Sequence, residues 1–334
     1  PPVQYPVVGR DSYIGRILLV LVVTLEITTI KHETYMKKTL LLLSSCFLLS
    51  QGIGAADSSE TLSPESSFLI PCKIAGVDSP SLLLNGDWQF RFSPKGKWNT
   101  VQVPGELAMQ GYAIQHDTPY LYRKSFTLPA DYKGKRTILR FDGVYSHAVL
   151  SINGKQVREH HGGFTRWETD VTDYVRPGAK NEIQLDVTDR IDDISYASGY
   201  AHHPIGGILR DVTVFALPET YFFDFAAETH LDTLYRDAVL KVSYTGRTTG
   251  NTEVTYALTD PSGKNVPLSQ SVFALKENDN IHELPVSAPL KWDAEHPNLY
   301  TLTVALREGG KEISRFIKKV GFRDVKIVKD RMLV

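Results

Sequence analysis

Two pairs of neighbouring histidines are the residues of this sequence whose type is best suited to holding a metal ion. His160 and His161 precede two glycines, and His202 and His203 precede Pro204. Imidazole nitrogens are common zinc ligands. Adjacent residues of a strand point to opposite faces, however, so one such pair rarely supplies two ligands to the same ion. We therefore expect these histidines to be polar loop residues, and we predict no metal site.

Sugar binding is a second chemistry that this sequence could support, because the C–H face of a pyranose is apolar and stacks on aromatic rings. The aromatic candidates are Tyr120, Tyr122, Trp167, Tyr196 and Tyr200. We expect Tyr122 and Trp167 to pack in the core. Tyr196 and Tyr200 are equally open to core packing and to sugar binding, because they lie in the turn-rich stretch 191–207. That stretch is too long for a hairpin loop, and long loops often carry function.

No catalytic motif with a defined spacing is present in the sequence. There is no Gly-rich phosphate loop, no His-Glu-x-x-His helix, no paired-cysteine zinc spacing and no Gly-x-Ser-x-Gly turn. Asp189, Asp192 and Asp193 lie close together near the start of the turn-rich stretch, and we expect them to be solvated loop charges. The residues by themselves therefore indicate neither a catalytic group nor a cofactor.

The length and composition are those of a globular chain with about two domains, since 334 residues allow roughly one domain per 150. The 37 Lys and Arg residues balance 38 Asp and Glu residues, so no field of one sign exists to attract nucleic acid or a membrane surface. A hydrophobic share of 42% with 22% charged residues disfavours disorder, and 16 Tyr and 14 Phe favour β structure.

The spacing of apolar residues predicts strands rather than helices. Apolar side chains recur at every second position in Ile183, Leu185 and Val187, in Val212 and Val214, and in Tyr300, Leu302, Val304 and Leu306. This period is typical of strands with one buried face. Asn153-Gly154, between two such segments, predicts a tight hairpin, because that turn needs two residues with positive φ.

The elements divide into two predicted sandwiches with a boundary near Pro218. Short strands with frequent turns are typical of β-sandwiches. We predict an all-β protein with a jelly roll over residues 68–217 and an immunoglobulin-like sandwich over residues 218–334, preceded by a Ser-rich linker at 57–67.

The N-terminal part predicts export. Lys37 and Lys38 after Met36, an apolar run at 40–49 and the small residues at 54–56 form a secretory signal peptide at 36–56. We expect a secreted or periplasmic protein, with residues 1–35 as upstream sequence outside the native fold. The alternative is a lipoprotein anchored at Cys46. If the signal is removed, Cys72 is the remaining cysteine and no intramolecular disulfide is expected.

Seven stretches together resemble the N-terminal part of glycoside hydrolase family 2, the family of β-galactosidases, β-glucuronidases and β-mannosidases. These stretches are 84–90 (LNGDWQF), 103–105 (VPG), 122–126 (YRKSF), 141–175, 206–212 (GGILRDV), 297–302 (PNLYTL) and 320–323 (VGFR). The resemblance implies a galactose-binding-like jelly roll and an immunoglobulin-like sandwich, followed in the family by a TIM barrel with two catalytic glutamates. It places the end of this chain where that barrel begins, so we expect the chain to be inactive alone and assign no catalytic residue.

The same resemblance suggests which residues face the sugar. Asp117 matches a position where some β-galactosidases place Asn or Asp near the sugar, and the stretch 196–203 corresponds to a second contributing loop. A turn-forming Asp before Thr118-Pro119 is an equally open interpretation of Asp117. Ala201 falls where some members have Asp, a departure that weakens the case for galactose. The predicted substrate-binding residues are Asp117, Tyr120, Tyr200, His202 and His203. The expected partners are a β-glycoside, the catalytic barrel and further copies of the chain. The alternative is a free-standing carbohydrate-binding or structural sandwich.

Overall fold

The computed structural model of the chain describes residues 67–190 and 205–333. The predicted signal peptide and the residues before it lie outside this range. Regular structure in the described residues is β, apart from two short 3-10 turns at Ala108–Gln110 and Ala130–Tyr132. In that same part of the chain, no helix has the length and apolarity needed to cross a membrane. The all-β prediction is confirmed.

Most of the first thirteen strands build the first sandwich. They are β1 (Lys73–Ile74), β2 (Ser81–Leu83), β3 (Gly86–Arg91), β4 (Asn99–Val103), β5 (Tyr120–Thr127), β6 (Arg136–Phe141), β7 (Val144–Tyr145), β8 (His147–Ile152), β9 (Lys155–His161), β10 (Trp167–Asp170), β11 (Lys180–Thr188), β12 (Gly207–Ile208) and β13 (Val212–Leu217). One sheet has the order β4-β3-β5-β11-β8-β9, and the sheet β10-β6-β13-β2 supplies the other layer of the jelly roll. A single cluster of buried side chains from both sheets forms the core.

The local predictions for this sandwich hold. Asn153 and Gly154 have φ of 51° and 80° and connect β8 to β9, as the hairpin pattern requires. On β11, Leu185 is fully buried while Gln184 lies on the other face and is half-exposed. Tyr122 and Trp167 are buried in the core, as predicted.

Strand β13 departs from the prediction of one exposed face. All six of its residues are buried, including Thr213, which alternates with the apolar valines. The reason is a second cluster on the far side of the sheet, in which Phe68 packs against Phe215 with ring centroids 6.5 Å apart. Tyr221 and Phe223 complete that cover. A strand buried on both faces loses the constraint that alternate residues be polar.

The remaining ten strands form the immunoglobulin-like sandwich and a terminal hairpin. They are β14 (Tyr221–Leu231), β15 (Ala238–Arg247), β16 (Thr252–Thr259), β17 (Asn265–Val266), β18 (Val272–Ala274), β19 (Asn278–Val286), β20 (Tyr300–Glu308), β21 (Lys311–Val320), β22 (Lys326–Val328) and β23 (Arg331–Leu333). One sheet is β14-β15-β19, and the other runs β21-β20-β16 with β17 and β18 both paired to β16. Leu240, Val304 and Phe316 are fully buried between them.

The chain near residue 70 joins the two sandwiches. Strand β1 pairs with β21 of the second sandwich, with Lys73 opposite Arg315. Just before it, Phe68 is held by a buried ion pair of the first sandwich: its N–H donates to Glu168 (2.8 Å), and its carbonyl accepts from Arg140 (2.5 Å). Arg140 also donates to Glu168 (2.5 Å). Because both charges are desolvated, the contribution of this ion pair to stability depends on the complete set of partners.

Candidate functional site

At one rim of the jelly roll, the segment 104–119 lies against the end of β11 and the start of β12. Hydrogen bonds join Gly105 N–H to the Ile208 carbonyl (2.9 Å) and Leu107 N–H to the Gly206 carbonyl (3.0 Å). The Asp117 N–H donates to the carbonyl of Asp189 (2.8 Å). These three bonds fix the segment against both ends of the stretch 191–204, which lies outside the described residues.

Asp117 stands at the outer edge of this rim. Its side chain is exposed, and its backbone has a left-handed φ of 56°, a conformation that Asp tolerates better than most residues. The turn is fixed at its backbone by the hydrogen bond to Asp189. A positioned carboxylate of this kind accepts hydrogen bonds from sugar hydroxyls.

Tyr120 acts on the loop that carries Asp117. Its ring is buried against Phe90, and its hydroxyl donates to the Gln115 carbonyl (2.8 Å) while accepting from the Gln115 N–H. Burial raises the pKa of the Tyr120 hydroxyl, with the Gln115 hydrogen bond opposing the shift, so it stays protonated as a donor. The structure therefore gives Tyr120 a positioning role. Direct contact with a sugar stays a prediction.

Asp189 corrects one expectation. The sequence pattern predicted a solvated loop charge, but the Asp189 side chain has no exposed surface and lies 2.9 Å from Nδ1 of His116. The geometry is that of an ion-pair contact rather than an aligned hydrogen bond, since neither carboxylate oxygen has a hydrogen-bond partner. His116, immediately before Asp117, is one-third exposed. Residue types alone gave no signal for this pair, because the two residues are 73 positions apart.

Tyr200, His202 and His203, the other predicted substrate-binding residues, lie outside the described residues. The positions that flank them are informative. The described residues end at Arg190, next to Asp189, and resume at Ile205, next to Gly206. Because the carbonyls of Asp189 and Gly206 accept from the N–H groups of Asp117 and Leu107, the described residues on both sides are tied to the segment that carries Asp117.

Gly206 and Gly207 permit this close approach. A Cβ on Gly206 would lie 2.9 Å from Cδ1 of Ile114, and one on Gly207 would lie 2.7 Å from the carbonyl oxygen of Gly105. Gly207 also has φ of 133°. Any larger residue at either position would push the rim segments apart.

A charged pocket of about 470 Å³ flanks this rim, and the sequence patterns gave no indication of it. Its lining includes Pro104, Arg210 and the paired side chains of Asp142 and Arg166. Asp211, also in the lining, accepts a hydrogen bond from the Asn85 amide (2.8 Å). Each acid in the lining is paired with a basic or amide side chain, so these side chains form a structural network next to the rim.

The histidines of β9 are on a strand, not in a loop as predicted. Their side chains do point to opposite faces: the His160 ring stacks on Trp167 (4.8 Å), whereas Nε2 of His161 lies 3.4 Å from Glu159. Burial, with the nearby Arg158 charge, lowers the pKa of His160 to about 4. Among the described residues, the group able to hold a metal is His161 with Glu159 and His147 of the adjacent strand.

Each of the two sandwiches matches a model of a known protein family. The model of the glycosyl hydrolase 2 galactose-binding domain-like fold matches residues 107–207, and the model of glycosyl hydrolases family 2 matches residues 220–323. The chain belongs to glycosyl hydrolase family 2. It corresponds to the N-terminal part of family members, as the sequence motifs indicated.

The family 2 chain is similar to curated enzymes over about three-quarters of its length. A β-galactosidase of Priestia megaterium is 28% identical over 298 residues, which cover 75% of this chain and 29% of the relative. A β-glucuronidase of Bacteroides fragilis is 29% identical over 269 residues, which cover 72% of this chain and 37% of the relative. The chain thus spans about a third of the length of these relatives.

Solved structures share the fold. A β-glucuronidase from Ruminococcus gnavus in complex with D-glucuronic acid superposes with a TM-score of 0.65 at 22% identity, over 80% of this chain and 50% of that one. A glycosyl hydrolase family 2 member from Bacteroides cellulosilyticus gives a TM-score of 0.63 at 23% identity, over 74% of this chain and 36% of that one. Both support the order of a galactose-binding-like sandwich followed by an immunoglobulin-like one.

Proposed function

We propose that this chain supplies the sugar-binding and scaffold domains of a secreted, exo-acting β-glycosidase of the β-galactosidase type, which hydrolyses O-glycosidic bonds in carbohydrate metabolism. The observation that carries the proposal is the match of two family 2 models to successive segments of one chain. The names of the relatives, β-galactosidase and β-glucuronidase, support a β-glycoside as the substrate.

The rim around Asp117 is the part of the chain proposed to meet the sugar. Its carboxylate is exposed on a turn that Asp189 fixes at the backbone and Tyr120 braces through Gln115. A sugar site needs a few polar groups held in place to fix the orientation of the hydroxyls. Tyr200, His202 and His203 are proposed to join it from the loop whose two ends are anchored there.

Catalysis is proposed to come from a barrel that this rim faces in the longer protein. A retaining glycosidase needs two carboxyl groups about 5–5.5 Å apart, one as nucleophile and one as acid/base. Among the acids that the structure describes on this rim, Asp117 is exposed, Glu106 is half-buried and Asp189 is buried beside His116. A carboxylate without exposed surface cannot reach an anomeric carbon, so Asp189 cannot form such a pair with Asp117.

Export through the signal peptide at 36–56 is part of the proposal. Cleavage after Ala56 makes Asp57 the first residue of the mature protein. N-terminal sequencing of the protein exported by a Gram-negative host tests this. A lipid-modified Cys46, or an N-terminus upstream of Met36, would contradict it.

The decisive experiment for the function reads the gene beyond the codon of Val334. A continuing reading frame that encodes a barrel with two strand-end glutamates is expected. A stop codon followed by unrelated sequence would overturn the proposal and favour a free-standing carbohydrate-binding sandwich.

A direct assay complements this experiment. The 334-residue chain is incubated with a chromogenic β-galactoside, β-glucuronide and β-mannoside, and no turnover above a heat-inactivated control is expected. Turnover that disappears on mutation of an Asp or Glu of this chain would show that the catalytic groups lie here instead.

A further inference from the structure

Three side chains that bind metals well meet on one face of the β8–β9 hairpin. Ala148, Leu150 and Ile152 of β8 are buried in the core, so His147 at the start of the strand points to the opposite face. His161 lies directly across from His147 in the antiparallel register, and Glu159 is two positions earlier on the same strand. All three therefore share the outer face of the sheet.

The distances within this group approach those of a coordination site. Nε2 of His147 lies 2.6 Å from Oε1 of Glu159, and Nε2 of His161 lies 3.4 Å from the same oxygen. All three potential ligand atoms lie within 4.8 Å of one another. In a tetrahedral zinc site, bonds of about 2.0–2.1 Å place the ligand atoms about 3.3–3.4 Å apart. Small side-chain rotations would bring the group to that spacing.

The group is open to solvent on one side. The side chains of Glu159 and His161 are 50% and 53% exposed, while that of His147 is 11% exposed. An ion can enter from this side, and water can complete its coordination.

The scaffold beneath the group is well anchored. His147 pairs with Thr188 of β11, an interior strand of the sheet. On β9, Arg158 and His160 alternate with the two ligands and face the core side: His160 stacks on Trp167, and the Arg158 guanidinium lies 5.4 Å from the centre of the same ring. Arg158 also donates to the carbonyl of Glu168. These contacts hold an edge strand in register and keep Glu159 and His161 on the outer face.

We propose that His147, Glu159 and His161 bind one divalent transition-metal ion of the zinc type. Two imidazoles and one carboxylate suit zinc and its neighbours, whereas calcium and magnesium prefer oxygen ligands alone. The ion would cross-link β8 to the edge strand β9 close to the rim, since Ser146 next to His147 accepts a hydrogen bond from the Arg190 N–H (3.1 Å). This site goes beyond the proposed function, which needs no metal here, and departs from the prediction of no metal site.

The test measures metal binding by the whole chain. The protein is loaded with Zn²⁺, passed through a desalting column and analysed for metal content, and Co²⁺ is titrated as a spectroscopic probe. One ion per chain and a visible Co²⁺ absorption band are expected. Glu159→Gln and His161→Gln change exposed side chains and should leave the fold intact, as circular dichroism would show. Each should weaken binding by at least about tenfold, the lower bound seen even for indirect ligand partners.

Two controls make the result specific. His296→Gln alters a comparably exposed histidine whose Nδ1 lies 3.1 Å from Asp293 but which belongs to no three-ligand group among the described residues. A His202→Gln/His203→Gln variant alters the other histidine pair. Both should bind as the parent does. A metal content in the parent far below one ion per chain would overturn the proposal. Unchanged affinity in Glu159→Gln or His161→Gln, or loss of binding in the His202/His203 variant, would do the same.

Discussion

Replacement of Leu185 by Ala tests the assigned core of the jelly roll. Leu185 has no exposed surface and lies in β11, where its register neighbours are Tyr122 on β5 and Leu150 on β8. Both neighbours are buried in the same cluster, so the strands on either side leave little room for collapse into the space. A Leu→Ala change in such a site costs about 2–5 kcal/mol in transfer and cavity terms.

Gln184→Ala is the matched control one position away. The Gln184 side chain lies on the opposite face, and its amide donates a long hydrogen bond to Asp186 (3.2 Å). Removal of this half-exposed group should cost about 0.5 kcal/mol or less. With a urea m value of about 2 kcal/mol/M, Leu185→Ala should lower the unfolding midpoint by about 1–2.5 M and Gln184→Ala by about 0.25 M.

Urea unfolding followed by tryptophan fluorescence measures both changes. Trp88 and Trp167 are buried in the same core cluster as Leu185, so their emission reports the unfolding of this sandwich. An m value that stays constant across the variants is required for the comparison. If Gln184→Ala were the more damaging change, or if Leu185→Ala cost less than about 1 kcal/mol, the assigned buried face would be wrong.

Three further changes probe the turn, the buried ion pair and a buried histidine. Gly154→Val should cost about 1–3 kcal/mol through backbone strain alone, because a Cβ at φ of 80° meets no atom within 4 Å; an unchanged urea midpoint would refute this. Glu168→Gln should lower the free energy of unfolding by about 3–5 kcal/mol, because it leaves Arg140 charged and buried. The double variant Glu168→Leu/Arg140→Met should lose less stability, as thermal unfolding of both variants would show. The pKa of His160 is lowered to about 4 in the folded chain, below the unfolded value of about 6.5. The stability that neutral His160 contributes is therefore complete above about pH 6.5 and is lost as the pH falls from 6.5 toward 4. His160→Phe keeps a ring on Trp167, and its urea midpoint should fall less than that of the parent between pH 7 and 5; equal losses would exclude His160 as the cause.

Local features of the fold were predictable from the sequence. The alternation in β11 and the Asn153-Gly154 hairpin depend on residues adjacent in the chain, through the two-residue period of a strand and the positive φ of a tight turn. The opposite orientation of His160 and His161 follows from the same period. The order of the family motifs along the chain is also a sequence property, and it identified the two successive sandwiches of family 2.

Only the tertiary structure decided which faces are covered and which distant residues meet. Strand β13 is buried on both faces because Phe68, about 145 residues earlier by count, packs on its outer side. Asp189 is buried beside His116, 73 positions earlier in the chain, and the register of two strands brings His147 next to Glu159. The period of a sequence reports the local direction of a side chain. What lies opposite that side chain depends on long-range packing, so no window of sequence contains it.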